Sequence, residues 1–228
     1  MRFTASIAAL AALGSLAAAQ DFTKGLAVDE SQANANFAQA MSSGVKFAYV
    51  KATGGMSPKS PSFSMQYNNA AKAGLLRGAY HTAVPIQSPG PVQANYFVDN
   101  GGRWIPDGMT LPGALYLNHN PSGPSCYGLN PSDMVAWIHG FSETYRMRTN
   151  RYPVIRTTAK WWTECTGNNA SFGTRNPLWV VIDTPTPGPS PAGWRAPTFM
   201  QIVNHNTNPD EVSFRGVSND LKTFARGN

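Results

Sequence analysis

Apolar and polar positions along this 228-residue chain switch between two periods, and the switching predicts an alternation of strands and helices. Gly25-Leu-Ala-Val28 reads as a short first strand, stopped by the polar run Asp29-Glu30-Ser31. Asn34 to Ser43 carries Phe37, Ala38, Ala40 and Met41 at helical spacing and ends at Gly44. Val45 to Val50 alternates as a second strand, leading into Lys51-Ala-Thr53-Gly-Gly55. Phe63 to Ala73 predicts a helix closed by Gly74, and Leu75 to Tyr80 a third strand with His81 at its end. A helix over Val92 to Val98 is followed by Ala114-Leu-Tyr-Leu-Asn118, a buried strand with a polar tip. The longest amphipathic stretch, Ser132 to Tyr145, places Met134, Ile138, Phe141 and Tyr145 on one side. Tyr152–Arg156, Leu178–Ile182 and Thr198–Val203 predict three more strands, and Asp220–Arg226 a closing helix. Thr184 to Pro191 holds four prolines and must be loop.

Strands alternating with helices, without an internal repeat or a linker, predict a single α/β barrel. Strand side chains alternate, so Tyr116 and Asn118 share one face of the central strand while Leu117 and His119 share the other. Chemistry in a barrel is usually done at the C-terminal ends of its strands. What stands there on this strand is a phenol and an amide, neither of which serves as a carboxylate acid or base.

Composition narrows the setting. Met1-Arg2, an apolar run from Phe3 to Ala18 and small residues before Gln20 have the form of a secretory signal peptide over residues 1–19. That leaves 20–228 as one soluble, extracellular domain with no membrane span, expected to be a monomer. The formal charge of +6 falls to +5 once Arg2 leaves with the leader. Its basic residues are scattered, which suits ordinary solubility or a mild attraction to anionic wall polymers and supplies no nucleic-acid motif. Two cysteines, Cys126 and Cys165, in an oxidising compartment predict one disulfide. His81, His119, His139 and His205 lack ligand spacing, so neither a metal nor another cofactor is expected. Asn169-Ala-Ser171 is a glycosylation sequon and argues for surface exposure there.

Several stretches, taken in order, resemble glycoside hydrolase family 25, the Ch-type lysozymes that cut peptidoglycan, and its fungal members in particular. They are Asn36-Phe-Ala, Phe47-Ala-Tyr-Val-Lys-Ala-Thr53, Pro61-Ser-Phe63, Gly74-Leu-Leu-Arg-Gly-Ala-Tyr-His81 and Gln93-Ala-Asn-Tyr-Phe97. Leu111-Pro-Gly-Ala-Leu115, Cys126-Tyr-Gly-Leu129, Arg151-Tyr-Pro-Val-Ile155 and Asn176-Pro-Leu-Trp179 follow. The resemblance implies an irregular TIM-like barrel of five β/α units plus extra strands. It also implies a Cys126–Cys165 bridge, and a cell-wall polysaccharide (peptidoglycan or a chitin-like glycan) as partner.

The family's chemistry does not carry over. Its Asp-x-Glu pair on the central strand falls on Tyr116 and Asn118. Its first strand reads Gly-x-Asp-x-Ser, and an ungapped count from Asn36-Phe37 puts that Asp on Ala27, whereas a two-residue slip puts it on Asp29. The Glu after Lys-Ala-Thr is Gly54, the Tyr before Thr-Thr is Arg156, and Phe-Trp-Gln-Tyr has become Phe199-Met-Gln-Ile202. With the fold residues kept and the strand tips changed, the first reading is a pseudoenzyme whose old cleft binds glycan through Asp29, His81, Tyr116, Asn118, Arg156 and Asp183. An alternative is a working muramidase or other glycosidase that uses Asp29 with a recruited partner such as Asp183. A third is an interaction scaffold with no sugar ligand. Arg156 and Asp183 are also expected to form an ion pair filling the former site, and Trp161, Trp162, Trp179, Trp194 and Tyr116 are candidate sugar-stacking rings.

Overall fold

The structure, a computed structural model, describes residues 21–184, 189–203 and 209–227. The expected leader, His205 and part of the proline loop lie outside the described residues.

Eight strands close into a barrel in sequence order: β1 (Phe22–Val28), β2 (Phe47–Gly54), β3 (Leu76–Thr82), β4 (Ala114–Tyr116), β5 (Val154–Thr158), β6 (Leu178–Ile182), β7 (Phe199–Ile202) and β8 (Asp210–Arg215). Strands β1 to β7 run parallel to their neighbours, and β8 closes the ring antiparallel to both β7 and β1. Helices α1 (Phe37–Ser42), α2 (Phe63–Lys72), α3 (Gly90–Phe97), α4 (Pro131–Thr149) and α5 (Ala159–Thr166) each follow one of the first five strands, and α6 (Ser218–Arg226) ends the chain. The five β/α units plus extra strands are therefore present.

Three local differences from the sequence pattern have physical causes. Helix α1 begins three residues later than expected because the Asn36 side chain caps it, accepting from the Gln39 N–H at 3.0 Å. Strand β8 was not predicted: its only buried apolar residues are Val212 and Phe214, in a stretch that also holds Asp210, Glu211 and Arg215, too short a signal for period-two counting. Helix α5 was not predicted either; Thr158 caps it by accepting from Trp161 N–H at 3.0 Å.

Two apolar layers result. One fills the barrel with Phe47, Tyr49, Tyr80, Tyr116, Trp179, Phe199 and Phe214. Gly78 on β3 makes room for Tyr49, since a Cβ there would stand 2.3 Å from its ring, and the Tyr49 hydroxyl donates to the Pro112 carbonyl at 3.0 Å. Leu221 and Ala225 of α6 join this layer and close the barrel's lower end. The other layer lies between strands and helices, where Phe97, Ile138, Phe141 and Tyr145 pack on the outside of β3 to β5. The Cys126–Cys165 disulfide ties the loop after β4 to α5, with Cα atoms 5.3 Å apart.

Candidate functional site

Parallel strands deliver their C-terminal ends to one rim, and the inward residues there form the candidate site. Ala27 is the last buried inward residue of β1, in register with Tyr49 of β2 and Asp210 of β8. Tyr80 and Tyr116 lie face to face with ring centroids 3.8 Å apart, and Trp179 meets Tyr116 edge-on at 5.2 Å. Over the Tyr116 ring sits the Arg156 guanidinium, 4.3 Å from its centroid.

A line of side-chain hydrogen bonds holds that guanidinium. Arg156 Nη1 donates to Asn118 Oδ1 at 3.0 Å, and Arg156 Nε donates to Gln201 Oε1 at 3.1 Å. Gln201 Nε2 in turn donates to Asp210 Oδ2 at 2.8 Å. The orientation of each amide is fixed by this chain, because only an amide oxygen can face the arginine. Burial pushes the Tyr116 phenol well above its ordinary range; Arg156 opposes that shift, while the charges of Asp210 and Asp29 add to it. The Tyr116 hydroxyl and the Trp179 indole N–H are both buried without a hydrogen-bond partner among the described residues.

Asp29 stands just past β1 and caps a one-turn 3-10 helix, Glu30–Gln32. Its Oδ1 accepts from the Ser31 N–H at 2.8 Å and from the Ser31 hydroxyl at 2.7 Å, and Gln32 Oε1 accepts from the Asp29 N–H at 2.8 Å. This is a reciprocal capping box. Beside it, Lys51 bonds Glu30 at 2.7 Å.

The other expected site residues are dispersed. His81 is fully buried on the helix side of β3, against Phe97 and Phe141, with Nδ1 2.8 Å from Thr53 Oγ1 and Nε2 2.9 Å from Gln93 Oε1. It does not face the mouth. His119 is exposed and bonds Ser125. The expected Arg156–Asp183 ion pair does not form among the described residues: Arg156 is turned toward Gln201, and exposed Asp183 lines a groove of about 810 Å³ on the barrel flank with Lys160, Glu164 and Met200. Trp161, Trp162, Trp179 and Trp194 are all buried and offer no open face to a sugar. Tyr116, the remaining candidate sugar platform, is 5% exposed and covered by Tyr80 and Arg156. No cluster of three His, Cys, Asp or Glu that could hold a metal occurs among the described residues.

Two members of the hydrogen-bond line that holds Arg156 escaped the sequence reading. Gln201 was visible only as a residue in an altered motif, and Asp210 lies at the start of the strand that was not predicted. Only pairing across β7 and β8 brings them together.

The family model for glycosyl hydrolases family 25 matches residues 27–210. An N,O-diacetylmuramidase of a Chalaropsis species is 42% identical, covering 90% of this chain and 99% of the relative. Another N,O-diacetylmuramidase, from Arthroderma benhamiae, is 40% identical over 90% of this chain and 87% of the relative. Among solved structures, a muramidase from Acremonium alcalophilum superposes with a TM-score of 0.87 at 45% identity, covering 90% of this chain and 99% of that one.

Proposed function

This chain belongs to the glycosyl hydrolases of family 25, and we propose that it is a secreted, monomeric member in which hydrolysis of peptidoglycan is lost or strongly reduced. The observation that carries the proposal is the Arg156 guanidinium seated on Tyr116 and bonded to Asn118. Glycoside hydrolysis needs one carboxylic acid to protonate the leaving oxygen and a second group to support an oxocarbenium-like centre. On the central strand, a phenol and an amide occupy the two positions from which the family's acidic pair would project. A guanidinium stacked on the phenol ring and bonded to the amide adds positive charge where positive charge would have to develop, which opposes that transition state.

The carboxylates that remain are employed otherwise. Asp29 acts as a hydrogen-bond acceptor in a cap, and Asp210 accepts from Gln201. Asp183 sits outside the Arg156 network. A reading in which Asp29 and Asp183 have taken over catalysis would have to use one carboxylate engaged in a helix cap and another that lines the groove beside α5.

The rim of the mouth, with Asp29, the Glu30–Lys51 pair, Asn118 and Asp210, is the surface left for a cell-wall glycan. One observation favours the scaffold reading instead: both faces of the Tyr116 ring are covered, which removes the stacking platform. Sedimentation with insoluble peptidoglycan, read together with release of reducing ends, separates the readings. Glycan binding without release is the expected result. Neither binding nor release would favour the scaffold, and release of reducing ends would contradict the proposal.

A further inference from the structure

We propose that Asn169 carries a single N-linked glycan, placed on the outer flank of the barrel beside α4 and α5. The chain contains three Asn-x-Ser sequences, and in two of them, Asn120-Pro-Ser122 and Asn130-Pro-Ser132, the middle residue is proline, which blocks transfer. Asn169-Ala-Ser171 alone has a permitted middle residue.

The folded structure leaves the right atom open. Asn169 follows the left-handed pair Gly167 and Asn168 that ends α5. Its backbone is pinned, with the N–H donating to Thr166 Oγ1 at 3.2 Å and the carbonyl accepting from the Trp162 indole at 3.0 Å. Its side-chain Oδ1 accepts from the Ser171 N–H at 2.9 Å and from the Ser171 hydroxyl at 2.7 Å. Nδ2 donates to nothing among the described residues and is not among the buried polar atoms, so it faces solvent beside exposed Ala170 and Ser171. A bulky, solubilising sugar is accommodated at such a place without disturbing the core.

Topology sets the glycan's position. Helix α5 leaves the upper end of β5 at Thr158 and returns the chain toward the start of β6, which runs parallel to β5. Asn169, past the end of α5, lies on the outer flank of the barrel beside α4: a Cβ at Gly167 would stand 3.8 Å from Pro131, and Ser171 Oγ lies 3.0 Å from His139 Nε2. In the reaction, Nδ2 forms a bond to the anomeric carbon of an oligosaccharide carried on a polyprenyl diphosphate. The bond from that carbon to the phosphate oxygen breaks, the lipid diphosphate leaves with the electron pair, and the Nδ2 proton passes to a base of the secretory transferase.

The inference rests on the secretion proposed above, and the test keeps the two apart. The full chain is expressed in yeast with its own leader, and residues 20–228 are expressed behind the host's leader. Intact mass of the translocated protein is measured before and after peptide N-glycosidase, with microsomal translation and protease protection covering any chain retained in the cell. One glycan is expected, lost in Asn169→Gln and Ser171→Ala and kept in Ser171→Thr. Transfer occurs on the unfolded chain, so a folding defect in a variant does not hide it. A translocated chain without glycan, or a glycan that persists in Asn169→Gln, would overturn the proposal. Glycosylation behind the host leader alone would count against the chain's own leader and leave Asn169 assigned.

Discussion

The Arg156 guanidinium lies 4.3 Å above the centre of the Tyr116 ring and donates to Asn118, two residues further along the chain and just past the end of β4. Tyr116 and Asn118, the two positions on which the resemblance places the family's acidic pair, are thereby engaged by one cation. From this relationship, restoring the carboxylates alone is predicted to be insufficient. In Tyr116→Asp with Asn118→Glu, Arg156 would pair with the new glutamate and hold it ionised, whereas a general acid needs its proton. The double variant is expected to remain without turnover. Adding Ala27→Asp and Arg156→Tyr removes the cation and supplies the first-strand carboxylate, and turnover on peptidoglycan is expected to rise by at least about 10²-fold, the lower end of what a positioned proton donor supplies.

Tyr116→Phe deletes a buried hydroxyl that has no hydrogen-bond partner among the described residues. Its removal should leave stability unchanged or raise it by about 1 kcal/mol, whereas Tyr116→Ala, which removes the ring itself, should lower it by about 3–5 kcal/mol. Urea unfolding midpoints of the two variants check this. A marked loss in Tyr116→Phe would show that the hydroxyl is bonded after all.

His81 gives the fold an acid limit. Burial pushes its imidazole down to about 4, against the Gln93 hydrogen bond, which raises it. In the unfolded chain a histidine titrates near 6.5, so acid favours the unfolded state, which binds the proton more readily. Stability is therefore complete above about pH 6.5 and falls as pH drops toward 4, by about 3 kcal/mol from this one group. Unfolding free energy measured across that window should fall with acid in the unmodified protein and flatten in His81→Gln.

The Cys126–Cys165 bridge spans 39 residues of sequence. Closing a loop of that size removes unfolded-state freedom worth about 4 kcal/mol in the chain-entropy account. The paired variant Cys126→Ala, Cys165→Ala should be less stable than the oxidised protein by about 3–4 kcal/mol in urea, with the barrel retained by circular dichroism.

The course of the chain was largely legible from periodicity, because seven of the eight strands carry enough apolar residues to show it. Strand β8 was not, since its only buried apolar residues are Val212 and Phe214, too short a signal for period-two counting. The site was legible only in part. Tyr116 and Asn118 could be placed on one face by counting along a strand, which is a local fact. The link from Arg156 through Gln201 to Asp210 could not, because it depends on pairing between strands distant in sequence. Charge complementarity suggested Asp183 as its partner, but Arg156 hydrogen-bonds Gln201 instead. His81 illustrates the same limit: its place at a strand end suggested the mouth, while its side chain belongs to the layer under α3 and α4.

The most direct test of lost hydrolysis is release of reducing ends from bacterial peptidoglycan by the purified mature protein, across pH 4–9, beside the Asp29→Ala variant. No release above the protein-free control is expected at any pH, with circular dichroism showing an intact fold. Clear release by the unmodified protein, abolished by Asp29→Ala, would contradict the account and make Asp29 a catalytic residue.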